Sequence, residues 1–234
     1  MEQKRNYGRE CEEIIGRAQR ENMVPRLLLH ACCAPCSSHV LEYLREYFDI
    51  TVFYYNPNIT SAEEYEKRFA EEKRLIAAYN RQTETGDFTD MHSTAAARPI
   101  GFLAAPYDPE SFEAIAKGRE DCPEGGERCT ACFALRLGKT AEAAAAGGYD
   151  YFTTTLTISP LKDASRLNEI GARLAQEKQV KFLPSDFKKK NGYQRSIELS
   201  RKFGLYRQNY CGCEYSKREA EQRRMEDTRT SSAD

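Results

Sequence analysis

The sequence predicts an α/β protein, a parallel sheet with helices packed on both of its faces. Two observations point there. Short apolar or β-branched runs, LLL at 27–29, ITVFYY at 50–55, YDYFTTTLT at 149–157 and VKFLP at 180–184, alternate with stretches of helical periodicity. The chain has 234 residues, enough for one α/β core of about 200 residues with tails, buried without disulfide staples. No internal repeat interrupts the pattern.

The elements follow in order. Residues 1–25 read as a helical extension with Ile14, Ile15 and Ala18 on one face and Pro25 as its stop. Residues 26–218 form a single catalytic domain, and residues 219–234 a polar tail that frays. Leu27–Leu29 is the first strand. A loop containing Pro35 follows, and Ser37 or Ser38 is positioned to cap a helix packing through Val40, Leu41, Leu44 and Tyr47. The second strand, 50–55, closes on the turn NPN. Ser61-x-x-Glu64 is a capping box for a helix to about Tyr79, with a stripe of Tyr65, Phe69, Ile76 and the aliphatic stem of Glu72. Residues 81–107, with Gly86, Pro99, Gly101 and Pro106, read as an irregular insertion or lid. Asp108–Pro109 opens a helix in the favoured N-cap and N1 arrangement, ending near Gly118. Further helices span about 130–146, 163–178 and 193–203, with the strands at 149–157 and 180–184 between them.

Composition excludes several classes. Lys and Arg number 35 against 36 Asp and Glu, so the chain as a whole is not a basic nucleic-acid binder, though a local basic face remains open. Charged residues make up 30% of the chain and mean hydropathy is −0.72, with no run of the roughly 18 apolar residues that a spanning helix needs. The start, MEQKRNYGRECEE, has no apolar core of a secretory signal, which points to the cytoplasm. Nine cysteines, an odd number without an export signal, argue against a disulfide scaffold. Clustered thiols in a reducing compartment read as metal ligands or redox catalysts.

Those thiols fall in three groups. HACCAPC leaves the first strand and enters a helix, RCTAC opens the helix near 130, and YCGC lies near the C-terminus. In an open parallel sheet the ligand site lies outside the carboxyl ends of the strands, and helix N-termini there stabilise thiolates and anionic clusters. A four-iron cluster needs four thiolates. Cys32, Cys33, Cys129 and Cys132 supply four, which leaves Cys36, Cys211 and Cys213. Three ligands with an open position mark a catalytic metal. Gly212 permits a sharp turn, so Cys211 and Cys213 can chelate one ion or form a strained disulfide. Singly, each group has a plainer meaning: RCTAC suits a zinc half-site or a dithiol switch, and an adjacent cysteine pair can be inert core. Cys11 reads as an incidental thiol, Cys122 as a loop residue, and His30 as either a sulfur-orienting group or a packed, hydrogen-bonded histidine. The first strand-to-helix turn lacks GxGxxG and the Walker pattern, so a standard dinucleotide or triphosphate site is disfavoured.

A basic, tyrosine-bearing stretch suits an RNA partner. Residues 181–224 hold twelve Lys and Arg against five Asp and Glu, with Tyr193, Tyr206 and Tyr210 between them. Lys188, Lys189, Lys190, Tyr193 and Arg195 are the candidate RNA-binding residues. Thr153–Thr155, Thr157 and Ser159 offer hydroxyls at a strand end, and Asp186 and Asp163 are candidate proton donors or helix caps.

The segments LLLHACCAPCSSHVLEYL, ERCTACFALRLGKTA, YFTTTLTISPLKDASRLNEIG and FLPSDFKKKNGYQRSIELSRKFGLYRQNYCGC together resemble the QueH-type epoxyqueuosine reductases, from about Leu27 to Cys213. The resemblance implies reduction of epoxyqueuosine to queuosine in a tRNA anticodon, on an α/β fold of the HUP, Rossmann-like type. It implies a 4Fe–4S cluster at Cys32, Cys33, Cys129 and Cys132. It also implies an additional mononuclear metal, expected to be iron, at Cys36, Cys211 and Cys213; in some members the position of Cys36 is an Asp. Neither 1–25 nor 81–107 aligns with a role. Epoxide removal takes two electrons and two protons, so an external ferredoxin-like donor is expected. Two rival readings stand beside it: an iron–sulfur or zinc redox switch that binds RNA, and a thiol–disulfide oxidoreductase using CxxC or CGC.

Overall fold

A computed structural model of the chain describes residues 5–231. Five parallel strands, β1 (Arg26–His30), β2 (Asp49–Tyr54), β3 (Gly101–Ala104), β4 (Tyr151–Thr154) and β5 (Lys181–Phe182), stand in the order β3-β2-β1-β4-β5. The chain starts in the middle at β1, builds outward through β2 and β3, then crosses to β4 and β5. The reversal between β1 and β4 opens a crevice at the carboxyl ends of those two strands.

Eight helices surround the sheet: α1 (Tyr7–Arg20), α2 (Ala34–Leu44), α3 (Ala62–Thr85), α4 (Pro109–Ala116), α5 (Glu127–Ala146), α6 (Ala164–Lys178), α7 (Gly192–Lys202) and α8 (Glu214–Ser231). Alternation along β1 assigns its side chains to two cores. Leu27 and Leu29 pack with Val40, Leu41 and Leu44 of α2 and with Leu75 and Ile76 of α3. Leu28 packs on the other face with Phe133 and Leu137 of α5 and Leu167 and Leu174 of α6. None of the helices is long and apolar enough to cross a membrane.

The expected architecture holds, with local differences. Cys11 is no incidental thiol: it is 2% exposed and seals α1 onto the first core beside Ile15. The cap of α2 is Cys33 in extended conformation (φ −174°, ψ 155°), not a serine. Ser37 and Ser38 lie inside the first turns and donate to the carbonyls of Cys33 (3.1 Å) and Pro35 (2.9 Å). Residues 81–107, expected as an irregular insertion or lid, are irregular only between residues 87 and 100 and after β3. Helix α3 continues to Thr85 and ends on Gly86, whose φ of +70° suits a left-handed cap. The strand β3 follows on the sheet edge, too short and too exposed to show alternation. Between them Ser93 and Ala97 are buried against α2, and Ser93 accepts from Arg45 Nε at 2.9 Å. The C-terminal segment is helical to Ser231; α8 begins at Glu214 and so runs through position 219, where the polar tail was expected to start.

A buried carboxylate ties two of the helices around β1. Arg195 of α7 grips Glu42 of α2 with two bonds of 2.8 and 2.9 Å, and the Glu42 side chain is 1% exposed. Removing one partner of a buried pair strands the other. Arg195→Met should therefore cost roughly 3–5 kcal/mol in a urea titration; an unchanged midpoint would show that the pair contributes no stability.

Glu72 is fully buried in α3, and neither carboxyl oxygen has a hydrogen-bond partner. Burial raises its pKa from 4.5 to about 8. Between those values the folded chain keeps a proton that the unfolded chain has lost. Stability therefore falls as pH rises through that window. Glu72→Gln cannot ionise, so its melting temperature should vary less than that of the wild type between about pH 5 and pH 8. Parallel melting curves across that range would refute the buried, protonated carboxyl.

Candidate metal centre

The thiols gather at the crevice between β1 and β4. After His30 the chain turns at Ala31, and Cys32 and Cys33 follow at once, with Cys33 capping α2. Pro35 fits the first helical turn, where its missing N–H costs nothing. One turn further is Cys36. The sulfurs of Cys32, Cys33 and Cys36 lie within 4.8 Å of one another, and those of Cys32 and Cys33 are 3.7 Å apart. Thr155, just past β4, fixes Cys32 from across the crevice: its hydroxyl accepts from the Cys32 N–H at 3.3 Å and donates to the sulfur at 3.5 Å.

The second group starts α5. Cys129 Sγ accepts from the Gly125 N–H at 3.2 Å, and Cys132, one turn on, is 5% exposed. The third group is strapped to α3 and to the loop that precedes it. The carbonyl of Cys211 accepts from Arg68 Nη1 (3.0 Å), and the carbonyl of Gly212 accepts from the Thr60 N–H (3.3 Å). At φ +131° Gly212 occupies glycine's own region, and a Cβ there would stand 2.9 Å from Ile59 Cγ1. Cys213 immediately precedes α8, and its sulfur accepts from the Ser216 N–H at 3.4 Å. Cys132 and Cys213 pack together with Phe112 and Ala116.

Cys32, Cys33 and Cys36 can together hold a metal ion. Cys129 and Cys132 neighbour Cys211 and Cys213. Burial raises the pKa of both Cys129 and Cys132, and the nearby sulfurs of Cys211 and Cys213 raise it further. A cavity of about 280 Å³ opens at the site, lined by Cys32, Cys33, Cys36 and Cys211 together with Arg68, Lys162 and Tyr193.

Positive charge surrounds the sulfurs. Arg136 of α5 is 1% exposed. Its bonds go to neutral groups, Nη2 to Asn56 Oδ1 (2.6 Å) and Nε to His30 Nε2 (3.3 Å), while Nη1 has no partner. Among the described residues no carboxylate pairs with Arg136 or with Lys162. Burial works against both charges, but sulfurs outweigh it: Cys132, Cys211 and Cys32 for Arg136, and Cys211, Cys32 and Cys36 for Lys162. Arg68 adds a third cation, 2% exposed, paired to Glu64 at 2.6 Å.

The thiols respond unequally. Hydrogen bonds from Cys33 and Cys36 hold the Cys32 thiol well below its usual pKa, with help from Lys162 and Arg136. Cys33 is pushed up to about 12 and Cys36 also rises, because each serves Cys32 as a donor. A bound cation would favour ionisation of all three. Carboxylate-free buried cations beside a thiol-only donor set fit an anionic, thiolate-held metal group.

The other candidates are distributed as follows. His30 is fully buried between Thr154 (2.9 Å), the Tyr55 carbonyl (3.2 Å) and Arg136, the packed histidine of the plainer reading. Thr153, Thr154, Thr155 and Thr157 are all buried and bonded internally. Asp163 caps α6. Asp186 pairs with Lys188 and lines a second, larger cleft of about 1010 Å³ beside α1, along with Lys189 and Lys190. Lys190 pairs with Glu12 of α1, whereas Lys189 is exposed with no ion-pair partner among the described residues. Tyr193 lines the thiol cavity, and Arg195 is committed to Glu42. Cys122 stays in the loop before α5.

Sequence reasoning missed Arg68, Arg136 and Lys162. A signal existed for one of them: Cys129, Cys132 and Arg136 are spaced i, i+3, i+7, one face of a helix. Lys162 and Arg68 reach the site from separate elements, and no spacing reveals them.

Comparison with known proteins gives a consistent answer. A family model described as "Epoxyqueuosine reductase QueH" matches residues 27–219. The chain is 41% identical over 216 residues to epoxyqueuosine reductase QueH of Staphylococcus aureus (strain Mu50 / ATCC 700699), covering 92% of this chain and 85% of that protein. It is 32% identical to epoxyqueuosine reductase QueH of Thermotoga maritima, covering 87% of this chain and 96% of that protein. With the match spanning all seven cysteines of the crevice, the chain belongs to the epoxyqueuosine reductase QueH family.

Proposed function

We propose that this chain reduces the epoxide of epoxyqueuosine in a tRNA anticodon to queuosine, in the cytoplasm, with electrons from a ferredoxin-like donor. One observation carries the reading: family membership extends over the whole stretch that holds the three cysteine groups. The reaction consumes two electrons and two protons, breaks both C–O bonds of the epoxide, forms the alkene and releases water.

Under this reading Cys32, Cys33, Cys129 and Cys132 hold a 4Fe–4S cluster, and Cys36, Cys211 and Cys213 hold a single metal ion, expected to be iron. When bound, the cluster would supply electrons one at a time, and the single ion would act as a Lewis acid toward the epoxide oxygen. The chain's own residues do the rest. Lys162 lines the cavity with three mobile N–H donors, suited to an oxygen that gains negative charge as its C–O bond breaks. Arg136 and Arg68 offset the negative charge of the thiolates. Asp186, held by Lys188, is the candidate proton donor at the margin of the neighbouring cleft. Lys188, Lys189, Lys190, Tyr193 and Arg195 are the candidate RNA-binding residues, of which Lys189 is free to meet a phosphate while Arg195 meets its carboxylate first.

The direct test is anaerobic reduction of epoxyqueuosine-containing tRNA, followed by nucleoside mass spectrometry. Queuosine should appear with the loss of one oxygen atom, and an unconverted tRNA would refute the activity. Metal analysis separates the roles of the thiols and excludes a zinc switch, which is colourless. Cys129→Ala should lose cluster iron, sulfide and turnover together; full iron and sulfide content would remove it from the cluster. Cys211→Ala should keep the cluster's absorbance yet lose turnover. Retention of wild-type turnover would leave CGC as a structural turn.

Neutralising Lys188, Lys189 and Lys190 together should flatten the salt dependence of tRNA binding, by a log–log slope of roughly 0.7 to 0.9 per lost phosphate contact. Because Lys188 and Lys190 already hold carboxylates, the change should come mainly from Lys189. An identical slope in the triple variant would make these lysines a solvated face.

A further inference from the structure

The turn after β4 presents two neighbouring side chains to different surroundings. The Lys162 N–H donates to the Ser159 carbonyl and the Leu161 N–H to the Ser159 hydroxyl, both at 3.3 Å, and Pro160 fixes the corner. Lys162 lines the cavity together with Cys32, Cys33, Cys36 and Cys211. Leu161 stands in solvent at 69% exposure, the highest among the exposed large hydrophobic side chains of the described residues. Tyr193, at the start of α7 and 37% exposed, lines the same cavity as Leu161.

An exposed leucine on a closed turn at the mouth of this cavity has little to pack against within this chain. We propose that Leu161 is a wedge that enters the base stack of the RNA beside the target nucleotide, with Tyr193 the platform on which an unstacked base rests. The proposal depends on the functional reading above, which makes the occupant single-stranded RNA. Size and charge both favour that occupant. A cavity of about 280 Å³ holds one base-sized group rather than a loop of stacked bases, so the target must leave its neighbours to reach the thiols. Unstacking leaves a gap that an apolar wedge fills, a use to which leucine is suited in other nucleic-acid binders. Arg207 also lines the cavity, and residues 181–224 carry the basic excess that a phosphate backbone requires. Leu161 and Lys162 would thereby couple two tasks through one turn, the first prying the stack apart and the second receiving the extruded group.

The test uses an anticodon stem-loop RNA carrying 2-aminopurine next to the target nucleotide, whose fluorescence rises when its neighbours unstack. The wild-type protein should raise the fluorescence severalfold. Leu161→Ser should lose most of that rise, and Leu161→Met should restore it, which a purely structural role would not predict for so exposed a residue. Tyr193→Ala should weaken binding by about tenfold. Equal enhancement by the wild type and Leu161→Ser, or none by the wild type, overturns the wedge. Failure of the wild type to reduce epoxyqueuosine in tRNA is read in the separate mass-spectrometric assay; it overturns the functional reading and removes the wedge's substrate with it.

Discussion

A guanidinium buried without a carboxylate is the constraint around which this crevice is arranged. Arg136 sits 1% exposed, bonded to an amide and an imidazole, with one terminal nitrogen unpartnered. A charge so placed is tolerable only where negative charge is close at hand. The neighbours able to supply it are sulfurs from all three cysteine groups. The same electrostatics keep His30 neutral, since burial and then Arg136 lower its pKa to about 3. The imidazole can therefore accept from Arg136 rather than repel it. Lys162 repeats the arrangement from β4's side of the crevice.

Backbone geometry supports this balance. Cys33 caps α2, Cys129 lies in the first turn of α5, and Cys213 stands directly before α8. Each helix brings unpaired N–H groups and the positive end of its dipole to the sulfurs. The Gly125 N–H on Cys129 and the Ser216 N–H on Cys213 are the direct expression of that polarity. The parallel sheet makes it possible, because every strand ends at the same edge and each following segment can begin a helix there.

Much of this was legible in the sequence. The strand runs and the helix spacings locate the sheet, and the position of HACCAPC after β1 places its thiols at the carboxyl edge. What was hidden has physical reasons. The strand β3 has four residues on an exposed edge, so no alternation marks it. Cys33 as a cap is invisible because thiols are poor caps by propensity, and the nearby serines compete for the role. Glu72 fell on an apolar stripe and read as an aliphatic stem, yet its whole carboxyl is buried. The distances between the three cysteine groups could not be read, since residues far apart in sequence meet only through the crossover between β1 and β4. The pairing of Arg195 with Glu42 likewise joins helices from opposite ends of the chain.

The strap at Gly212 bears on how the protein comes into being. The crevice draws its sulfurs from residues 32–36, 129–132 and 211–213, and the last group is fixed to Arg68 of α3 and to Thr60 of the loop after β2. During synthesis the first group is free of the ribosome while the last is not yet made. A nascent chain can fold β1, α2 and β2 and expose Cys32, Cys33 and Cys36, but it cannot close the site over them. Metal acquisition completed by all three groups thus belongs to the finished polypeptide, and the early thiols must pass through translation before the later groups exist to cover them.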